Sequence, residues 1–368
     1  FPRFSIGESL LPQVTECLQT AGLLDAVSSA GFQYKDGAHF VCGDLRETFL
    51  FEQKSAPGPF HAWEVKRADF DHILAQEAEK RGAEISYNTR VLSWKRQDGE
   101  TLLGCRKDEE DFTVNCRFLI DASGFGRVMS RLADLEYPSN LPPRRAIFQH
   151  VKHHITSSDF DPDKITIAQS QMDLPYWFWM IPFSDQTASL GLVCDPNNEP
   201  NECLETTLAE HIETVPLLSK WLVNAEPVTV IGSINGYSCN VKNLFGDKFV
   251  LLGNAAEFVD PIFSSGVSIA CRSAILAVPL IERELKGENI DWLREYEEPM
   301  RRGVKVFHTF VEAWYEGTLS RLFYAETKNA QYKSYICSIL AGYVWDENNP
   351  VTRFNLSKLR TMANAIDS

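Results

Sequence analysis

The chain has 368 residues, of which 44% are hydrophobic and 23% charged, a composition typical of folded globular proteins rather than disordered or fibrous ones. Thirty-six basic against fifty acidic side chains give a formal charge of −14, and no basic run concentrates the positive charge, so we expect no nucleic-acid partner. No apolar run approaches the roughly 18 to 20 residues of a bilayer-spanning helix, so we predict no membrane span.

Nine cysteines are scattered along the chain and none is spaced as C-x-x-C, which favours buried thiols in a reducing compartment over a disulfide framework. We therefore expect a cytoplasmic protein. The chain begins with Phe1 rather than Met, and charged residues interrupt its start, so it shows no secretory signal pattern.

The first third of the chain mixes helical and strand periods. Apolar spacing predicts a helix over 8–27, broken at Gly22, and another over 67–81 that ends before Gly82. Short strands are predicted within 38–51 on either side of Gly43 and over 84–93, and a hairpin over 102–105 and 112–118. The run 118–120 predicts a buried strand that ends in a turn.

The rest of the chain divides into two kinds of pattern. Alternation over 165–170, 177–183 and 188–194, interrupted by a helical stretch at 205–223, predicts an antiparallel sheet within 145–238. A parallel-type strand over 249–252 then leads into a helix at 266–285. From residue 292 the chain is predicted to be mostly helical, notably over 301–323 and 332–340.

Two strand-to-loop corners carry small residues, Asp121-Ala-Ser-Gly124 and Gly253-Asn-Ala-Ala256, the second followed by Asp260-Pro261. Small residues let backbone amides approach a polyanionic cofactor, so the pair suggests a dinucleotide site. Downstream, Ser264-Ser-Gly-Val267 opens a helix whose positive end favours an anion or an electron-rich ring edge. Ordinary turns and helix capping are the alternative interpretations.

Six motifs in order carry a family resemblance: Pro2 to Pro12, Gly31-Phe-Gln-Tyr-Lys-Asp-Gly-Ala-His-Phe40, Arg67 to Leu74, Asp121 to Gly126, Trp177-Phe-Trp-Met-Ile-Pro182 and Gly253 to Val267. Over nearly its whole length the chain resembles the flavin-dependent halogenases, within the FAD-dependent monooxygenase-like and geranylgeranyl-reductase-like flavoproteins. The resemblance implies a mixed α/β fold with a Rossmann-like FAD-binding domain, an antiparallel-sheet substrate domain and a C-terminal helical region.

These three units have predicted boundaries. The FAD-binding domain is discontinuous, over 1–37, 62–143 and 240–290. The substrate domain takes 38–61 and 144–239, and the helical region takes 291–368. The aromatic residues of that last region either shape a substrate pocket or belong to the core: Trp314, Tyr315, Phe323 and Tyr324.

The segment Trp177 to Pro182 matches the W-x-W-x-I-P pattern of the halogenases. The resemblance implies that the indoles of Trp177 and Trp179 separate the flavin from the organic substrate, so that only a small oxidant passes between them. A sheet strand with two aromatic core residues is the alternative.

Lys35 matches the lysine of the same family. The resemblance implies that its ammonium group holds or captures hypohalous acid between the flavin and the substrate. A flexible point-charge donor whose pKa is lowered by burial suits that role. Outside its sequence context, a lone lysine would be interpreted as a solvated surface residue.

The remaining site residues follow from the resemblance. Ser264, Ser265 and Gly266 are expected at the halide. Glu8 and Arg67 have an alternative interpretation, as a helix-start residue and a surface ion pair. The residues expected to contact FAD are Gly7, Glu8, Ser9, Arg67, Asp121, Gly124, Gly253, Asn254, Asp260, Pro261, Gly266 and Val267.

Three departures from the family pattern change the expectations. The Gly-rich strand-helix-strand unit is absent from the printed chain, so we expect the chain as printed to bind FAD weakly or not at all. Asn254 stands where related flavoproteins usually carry Asp. The run Pro261-Ile-Phe263-Ser lacks the glutamate of the tryptophan halogenases, which favours a phenol or pyrrole substrate over free tryptophan.

The resulting hypothesis is an FAD-dependent oxidoreductase. Reduced FAD from a separate flavin reductase, oxygen, and chloride or bromide give hypohalous acid, which halogenates a small electron-rich aromatic, free or tethered to a carrier protein, through Lys35. One alternative is a reductase of the geranylgeranyl-reductase type, and another is a non-catalytic binding protein with a flavoprotein fold. His150, His153 and His154 fall in a predicted strand, so we expect no metal site.

Overall fold

The computed structural model describes residues 3–171, 176–197, 203–326 and 329–366. Pro2, the first residue of the first motif, lies outside them. The helices in the described part are α1 Pro12–Thr20, α2 Leu24–Ser28, α3 Arg67–Lys80, α4 Val128–Leu132, α5 Leu204–Glu213, α6 Pro216–Trp221, α7 Ser265–Leu285, α8 Glu298–Tyr315, α9 Thr318–Phe323, α10 Ala330–Leu340 and α11 Leu356–Ile366.

The strands in the same part are β1 Gln33–Lys35, β2 Gly37–Cys42, β3 Leu45–Leu50, β4 Ala62–Glu64, β5 Thr89–Gln97, β6 Glu100–Lys107, β7 Glu110–Cys116, β8 Leu119–Asp121, β9 Glu136–Pro138, β10 Arg145–Lys152, β11 Lys164–Gln169, β12 Trp177–Pro182, β13 Thr187–Cys194, β14 Glu226–Pro227, β15 Gly232–Asn235, β16 Cys239–Val241, β17 Phe245–Gly246 and β18 Phe249–Leu251. The chain is therefore a mixed α/β protein, as predicted.

An eight-stranded sheet dominates the molecule, in the order β14-β10-β13-β12-β11-β2-β3, with β15 also paired to β10. The predicted antiparallel strands lie here, because β10 to β13 pair antiparallel. Strand β2 joins them in parallel with β11. The sheet thus unites two sequence segments that we assigned to one substrate domain, although the domain boundaries themselves stay a prediction.

A smaller sheet positions the candidate site. Strand β18 lies parallel to β8 and antiparallel to β17. Because parallel strands end at the same edge, the turns after β8 and β18 meet there, which is where α/β sheets bind ligands. The prediction of a buried strand over 118–120 was wrong at Ile120, which is 43% exposed, because β8 pairs with β18 alone.

Several predicted boundaries moved for local reasons. Helix α1 starts at Pro12 rather than residue 8, because the preceding backbone is extended and Leu10 N donates to Trp63 O. The helical stretch 301–323 is interrupted at Gly317, whose φ of +80° ends α8 before α9 begins. Strand β5 begins at Thr89, after a turn in which Asn88 has φ of +55°, rather than at residue 84.

The prediction of no candidate membrane span was wrong for α7. By length and composition alone, α7 is long and apolar enough to cross a membrane. In the structure α7 packs against α1, and its first turn lines the cavity described below.

The large sheet separates two hydrophobic cores. Side chains of a strand alternate between faces, so Trp177 and Trp179 of β12 point into the core shared with α8 and α9. Phe178 and Met180 point into the other, beneath α5 and α6. All six residues of β12 are buried.

Candidate active site

A cavity of about 530 Å³ opens where the two sheets, α3 and the start of α7 meet. Three backbone turns form much of its wall, at residues 5–9, 122–126 and 252–254. The rest comes from α3, from the first turns of α7 and from large-sheet strands that include Trp179. A cavity lined mainly by turns presents backbone donors to a ligand.

The Gly7-Glu8-Ser9 turn is fixed by Arg67. The guanidinium donates to Ile6 O at 3.0 Å and to Gly7 O at 3.4 Å, and it binds both carboxylate oxygens of Asp71, at 2.8 and 3.0 Å. Gly7 has φ of +90°, and a Cβ there would lie 3.0 Å from Arg67 Nη1. Arg67 therefore both lines the cavity and shapes this turn, and its contact with FAD stays a prediction.

Glu8 forms a buried pair with His150. Glu8 Oε1 and His150 Nε2 lie 2.6 Å apart, and the two residues are 1% and 7% exposed. Glu8 Oε2 is buried and has no hydrogen-bond partner among the described residues. Sequence reasoning did not find this pair, because its members are 142 residues apart and only the sheet brings them together.

The corner after β18 packs closely against α7 and carries an unsatisfied hydrogen-bond acceptor. Gly253 has φ of +53°, and a Cβ there would lie 2.8 Å from Ala270 Cβ, so α7 can approach this turn closely. Asn254 Oδ1 is buried and has no hydrogen-bond partner in the described part of the chain. Because Asn254 lines the cavity, this oxygen can accept a hydrogen bond from a ligand hydroxyl or N–H.

The first turn of α7 closes another side of the cavity. Ser264 adopts φ of +55° and starts the 21-residue helix, so the backbone N–H groups that follow have no intrahelical acceptor. Ser264, Ser265, Gly266 and Val267 all line the cavity. The helix end offers donors and partial positive charge to an anion.

Trp179 forms the sheet side of the cavity, and its indole N–H donates to Ser189 Oγ at 3.1 Å. Its ring fits because Gly191 lies opposite on β13, where a Cβ would come within 2.1 Å of a ring carbon. Trp177 lies behind it, with ring centroids 6.0 Å apart, and does not line the cavity.

A hydrogen-bonded chain ties Trp177 to the loop before α7. The indole of Trp177 donates to Tyr315 Oη, and Tyr315 donates to Asp260 Oδ2, both at 3.0 Å. Asp260 Oδ1 accepts from Ile262 N at 3.0 Å. Burial raises the pKa of Asp260 to about 6, and Arg144, whose guanidinium carbon lies 4.1 Å from the Tyr315 ring centre, partly opposes this rise.

Lys35 is fully inside the protein, at 1% exposure, rather than on the surface. Its ammonium donates to Ser9 Oγ at 2.5 Å and to Leu10 O at 2.8 Å, and lies 4.0 Å from Glu64 Oε1. Burial lowers the pKa of Lys35 from its usual value, while the Glu64 carboxylate opposes the change. Ser9 lines the cavity, so the ammonium contacts a residue of the cavity wall without lining the cavity itself.

The family model and the curated relatives point to one family. The family model described as tryptophan halogenase matches residues 50–341. A 1H-pyrrole-2-carbonyl-(peptidyl-carrier protein) brominase from Pseudoalteromonas luteoviolacea is 31% identical over 79% of this chain and 71% of the relative. The chain belongs to the flavin-dependent halogenase family.

Other halogenases and a solved flavoprotein match the whole chain. A 1H-pyrrole-2-carbonyl-(peptidyl-carrier protein) chlorinase from Pseudomonas fluorescens is 28% identical over 100% of this chain and 87% of the relative. The crystal structure of a flavoprotein/dehydrogenase from Cytophaga hutchinsonii has a TM-score of 0.95 and 38% identity, covering 100% of this chain and 90% of that one. A triple mutant of the flavin-dependent brominase Bmp2 has a TM-score of 0.85 and 25% identity, covering 100% and 91%.

These matches confirm the resemblance and the fold class, including the Rossmann-like FAD-binding domain of the halogenase structures. As a family member, this halogenase uses FAD and halide. The residues present fit FAD: the buried Oδ1 of Asn254, a residue that lines the cavity, lacks a hydrogen-bond donor among the described residues. The start of α7 supplies N–H groups at the same wall.

The structure brings most of the predicted site residues of this halogenase to one cavity and leaves four behind its wall. Those that line it are Gly7, Glu8, Ser9, Arg67, Gly124, Trp179, Gly253, Asn254, Pro261, Ser264, Ser265, Gly266 and Val267. Lys35, Trp177, Asp121 and Asp260 do not line it. Asp121 instead accepts from Ser123 N and Met129 N, both at 2.8 Å, because its carboxylate caps the turn after β8.

Two further predictions concern residues away from the cavity wall. Trp314 and Phe323 are buried against the large sheet and Tyr315 is partly buried there, and Phe323 contacts Phe40 with centroids 4.9 Å apart. They do not line the cavity, so their part in a substrate pocket stays a prediction. Within residues 3–171, 176–197, 203–326 and 329–366, no group of three His, Cys, Asp or Glu is placed to hold a metal ion.

Proposed function

We propose that this halogenase transfers an oxidised halogen through Lys35 to a pyrrole or phenol ring presented on a carrier protein. FAD-dependent halogenation of aromatic substrates is the activity of its family. Two pyrrole halogenases whose names specify a peptidyl-carrier protein, at 28% and 31% identity, support the carrier-bound substrate. The run Pro261-Ile-Phe263-Ser lacks the glutamate of tryptophan halogenases, which supports a substrate ring other than free tryptophan.

One observation carries the role of Lys35. Its ammonium is sealed from solvent, yet it donates at 2.5 Å to the hydroxyl of Ser9, a residue that lines the cavity. A buried amine with a lowered pKa reacts with an electrophilic halogen more readily than a solvated ammonium, because its neutral form is more populated. The position favours a small oxidant that reaches Lys35 past Ser9.

The other residues then have defined tasks. We assign binding of FAD to the Gly7-Glu8-Ser9 turn, Arg67, Gly124 and Gly253-Asn254, and binding of halide to the N–H groups of residues 264–266. When bound, reduced FAD supplies with oxygen the oxidising equivalents that convert halide to hypohalous acid. Trp179, fixed by Ser189, closes the sheet side of the cavity to an organic ring.

The partners follow from this chemistry. FAD must arrive reduced, so we propose a separate flavin reductase as the electron source. None of the nine cysteines, all of which lie within the described residues, forms a disulfide, which agrees with a reducing compartment and supports a cytoplasmic location.

The test supplies the protein with reduced FAD from a flavin reductase, oxygen and bromide or chloride. Pyrroles and phenols are offered free and as thioesters on a carrier protein, and products are detected by mass spectrometry. We expect halogenated product, formed faster from the carrier-bound ring. Lys35→Met keeps the length of the side chain without the amine and should reduce halogenation by at least about 100-fold.

The matched control is Lys220→Met on α6, which removes an exposed ammonium that pairs with Asp159. It should halogenate as the wild type does. No halogenated product from any ring would contradict the proposal, and so would full activity in Lys35→Met. Faster turnover of the free rings than of the carrier-bound rings would contradict a carrier-bound substrate, but it would still support halogenation.

A further inference from the structure

Glu64 and Lys35 share one face of a small two-stranded ribbon. Strand β4 pairs antiparallel with β1, so that Ala62 lies opposite Lys35. Because side chains two residues apart on a strand point the same way, Glu64 lies on the same face as Lys35. Glu64 also interrupts the apolar run Ala62-Trp63-Glu64-Val65, and all four residues are buried. This carboxyl group in an apolar strand is the signal that sequence reasoning passed over.

The pair is enclosed and incompletely hydrogen-bonded. Lys35 and Glu64 are each 1% exposed, and Lys35 Nζ lies 4.0 Å from Glu64 Oε1. Two of the three ammonium protons have acceptors, in Ser9 Oγ and Leu10 O. Neither oxygen of Glu64 has a hydrogen-bond partner in the described part of the chain. The third ammonium proton and the unpaired carboxylate therefore remain available to each other.

Burial shifts both groups of the pair towards their neutral forms. It raises the pKa of Glu64 to about 7, while Lys35 and the Ser9 hydroxyl oppose this rise and Glu8 adds to it. Burial lowers the pKa of Lys35. The other groups facing the pair are Ser9 and the Phe51 ring, whose centre lies 5.5 Å from Lys35 Nζ, while Glu8 is itself paired with His150. An ammonium–carboxylate pair and an amine–carboxylic acid pair are thus both accessible.

We propose that Glu64 is the proton partner of Lys35, accepting a proton when the lysine takes up the halogen and returning it when the halogen leaves. This inference rests on the proposed function, which supplies the hypohalous acid. In the first step an N–H proton passes to Glu64, the amine nitrogen bonds to the halogen, and the O–halogen bond breaks. The hydroxide released takes a second N–H proton, which gives water, a neutral haloamine and a neutral carboxylic acid.

The second step restores the pair. The electron-rich ring attacks the halogen, the N–halogen bond breaks, and Glu64 protonates the leaving nitrogen. The ring then loses its own proton to the amine, which regenerates the ammonium and the carboxylate. Glu64 acts through Lys35 and touches neither ring nor halogen, so it is a positioning residue. Strand β4 brings this carboxylate to Lys35, whereas the Pro261-Ile-Phe263 run has none.

The experiment compares wild type, Glu64→Gln and Glu64→Asp. Titration of lysine side-chain nitrogens by NMR, with Lys35→Met to assign the signal, reports Lys35 without any flavin. We expect Lys35 to titrate below the other lysines, and at least one pH unit lower still in Glu64→Gln, because the carboxylate that holds its proton is gone. The halogenation rate, measured as a pH profile, should fall by at least about tenfold, because no carboxylic acid remains to protonate the nitrogen as the halogen leaves.

The conservative variant and a matched control separate this role from simple packing. Glu64→Asp keeps the carboxylate one methylene farther away and should fall between wild type and Glu64→Gln in both measurements. The control is Glu47→Gln, which breaks another ion pair of a buried glutamate, with Lys333 at 2.6 Å, on the large sheet. It should leave the Lys35 titration and the pH profile unchanged.

The outcomes distinguish the two proposals. A Glu64→Gln protein with the wild-type Lys35 titration and the wild-type halogenation rate would overturn the role of Glu64 and leave halogenation through Lys35 intact. A wild type that forms no halogenated product would overturn both. If Glu64→Gln does not fold, Glu64→Asp decides, because an unchanged Lys35 midpoint in that variant would overturn the pairing.

Discussion

The two faces of strand β12 differ in chemistry although their residues alternate along six consecutive positions. Phe178 and Met180 pack beneath α5 and α6 against apolar side chains. Trp177 and Trp179, on the opposite face, each donate an indole hydrogen bond, to Tyr315 and Ser189. One strand therefore stabilises the fold with one face and builds the site with the other, so substitutions on the two faces should separate stability from function.

The largest effect is expected on the Phe178 face. Phe178→Ala removes a fully buried ring and should lower the free energy of unfolding by about 3 to 5 kcal/mol, measured by urea denaturation. The halogenation rate per folded molecule should stay at the wild-type value, because the indole contacts lie across the sheet. Phe178→Leu, the control, should cost less. If folded Phe178→Ala protein formed different products, the two faces of β12 would not separate stability from function.

The indole face should carry a pH dependence through Asp260. Burial raises the pKa of Asp260 from 3.8 to about 6, so folding takes up a proton between these values. The stability due to this proton is present below about pH 4 and is lost as pH rises through 6. Relative to Asp260→Asn, the wild type should lose about 2 to 3 kcal/mol between pH 4 and 6.5 in urea denaturation.

A control for this pH effect is Asp134→Asn, at an exposed position. Its stability should run parallel to that of the wild type over the same pH range. If Asp260→Asn also runs parallel to wild type, Asp260 is not titrating in the folded protein and the pH dependence lies elsewhere.

A smaller effect should follow from filling the space beside Trp179. The methyl group of Gly191→Ala would lie 2.1 Å from a ring carbon, so the indole must move away from Ser189. We expect a loss of about 1 to 3 kcal/mol in unfolding free energy and weaker FAD retention, measured by flavin fluorescence. Ser189→Ala removes only the hydrogen bond and should cost less. Unchanged FAD retention in Gly191→Ala would show that the indole position does not matter to the cavity.

The smallest effect should come from Tyr315→Phe, which removes the hydroxyl between Trp177 and Asp260. The expected loss is about 1 to 2 kcal/mol, because the indole N–H and a buried carboxylate oxygen each lose a partner. In a double-mutant cycle with Trp177→Phe the two losses should not add, because both variants break the same bond. Additive losses would mean that the chain from Trp177 to Asp260 is not energetically connected.

Local patterns predicted much of the fold because they depend on near neighbours. The alternation of β12 and β13, the end of α3 before Gly82 and the start of α7 near Gly266 each follow from residues within one element. The six ordered motifs predicted the family, and most residues that they implied line one cavity. The predictions were wrong where strand pairing, rather than the periodicity of the sequence, decides burial. Ile120 is exposed because it lies on a strand that is paired on one side.

By itself the sequence determined which side chains share a face, because the period of a strand is a property of the backbone. Only the tertiary structure decided which polar groups meet: Glu8 with His150, Glu64 with Lys35, and Tyr315 between Trp177 and Asp260. It also turned Asp121 towards its own turn, away from the cavity. Such partners depend on sheet order and register, which bring together residues distant in the chain and which no short segment encodes.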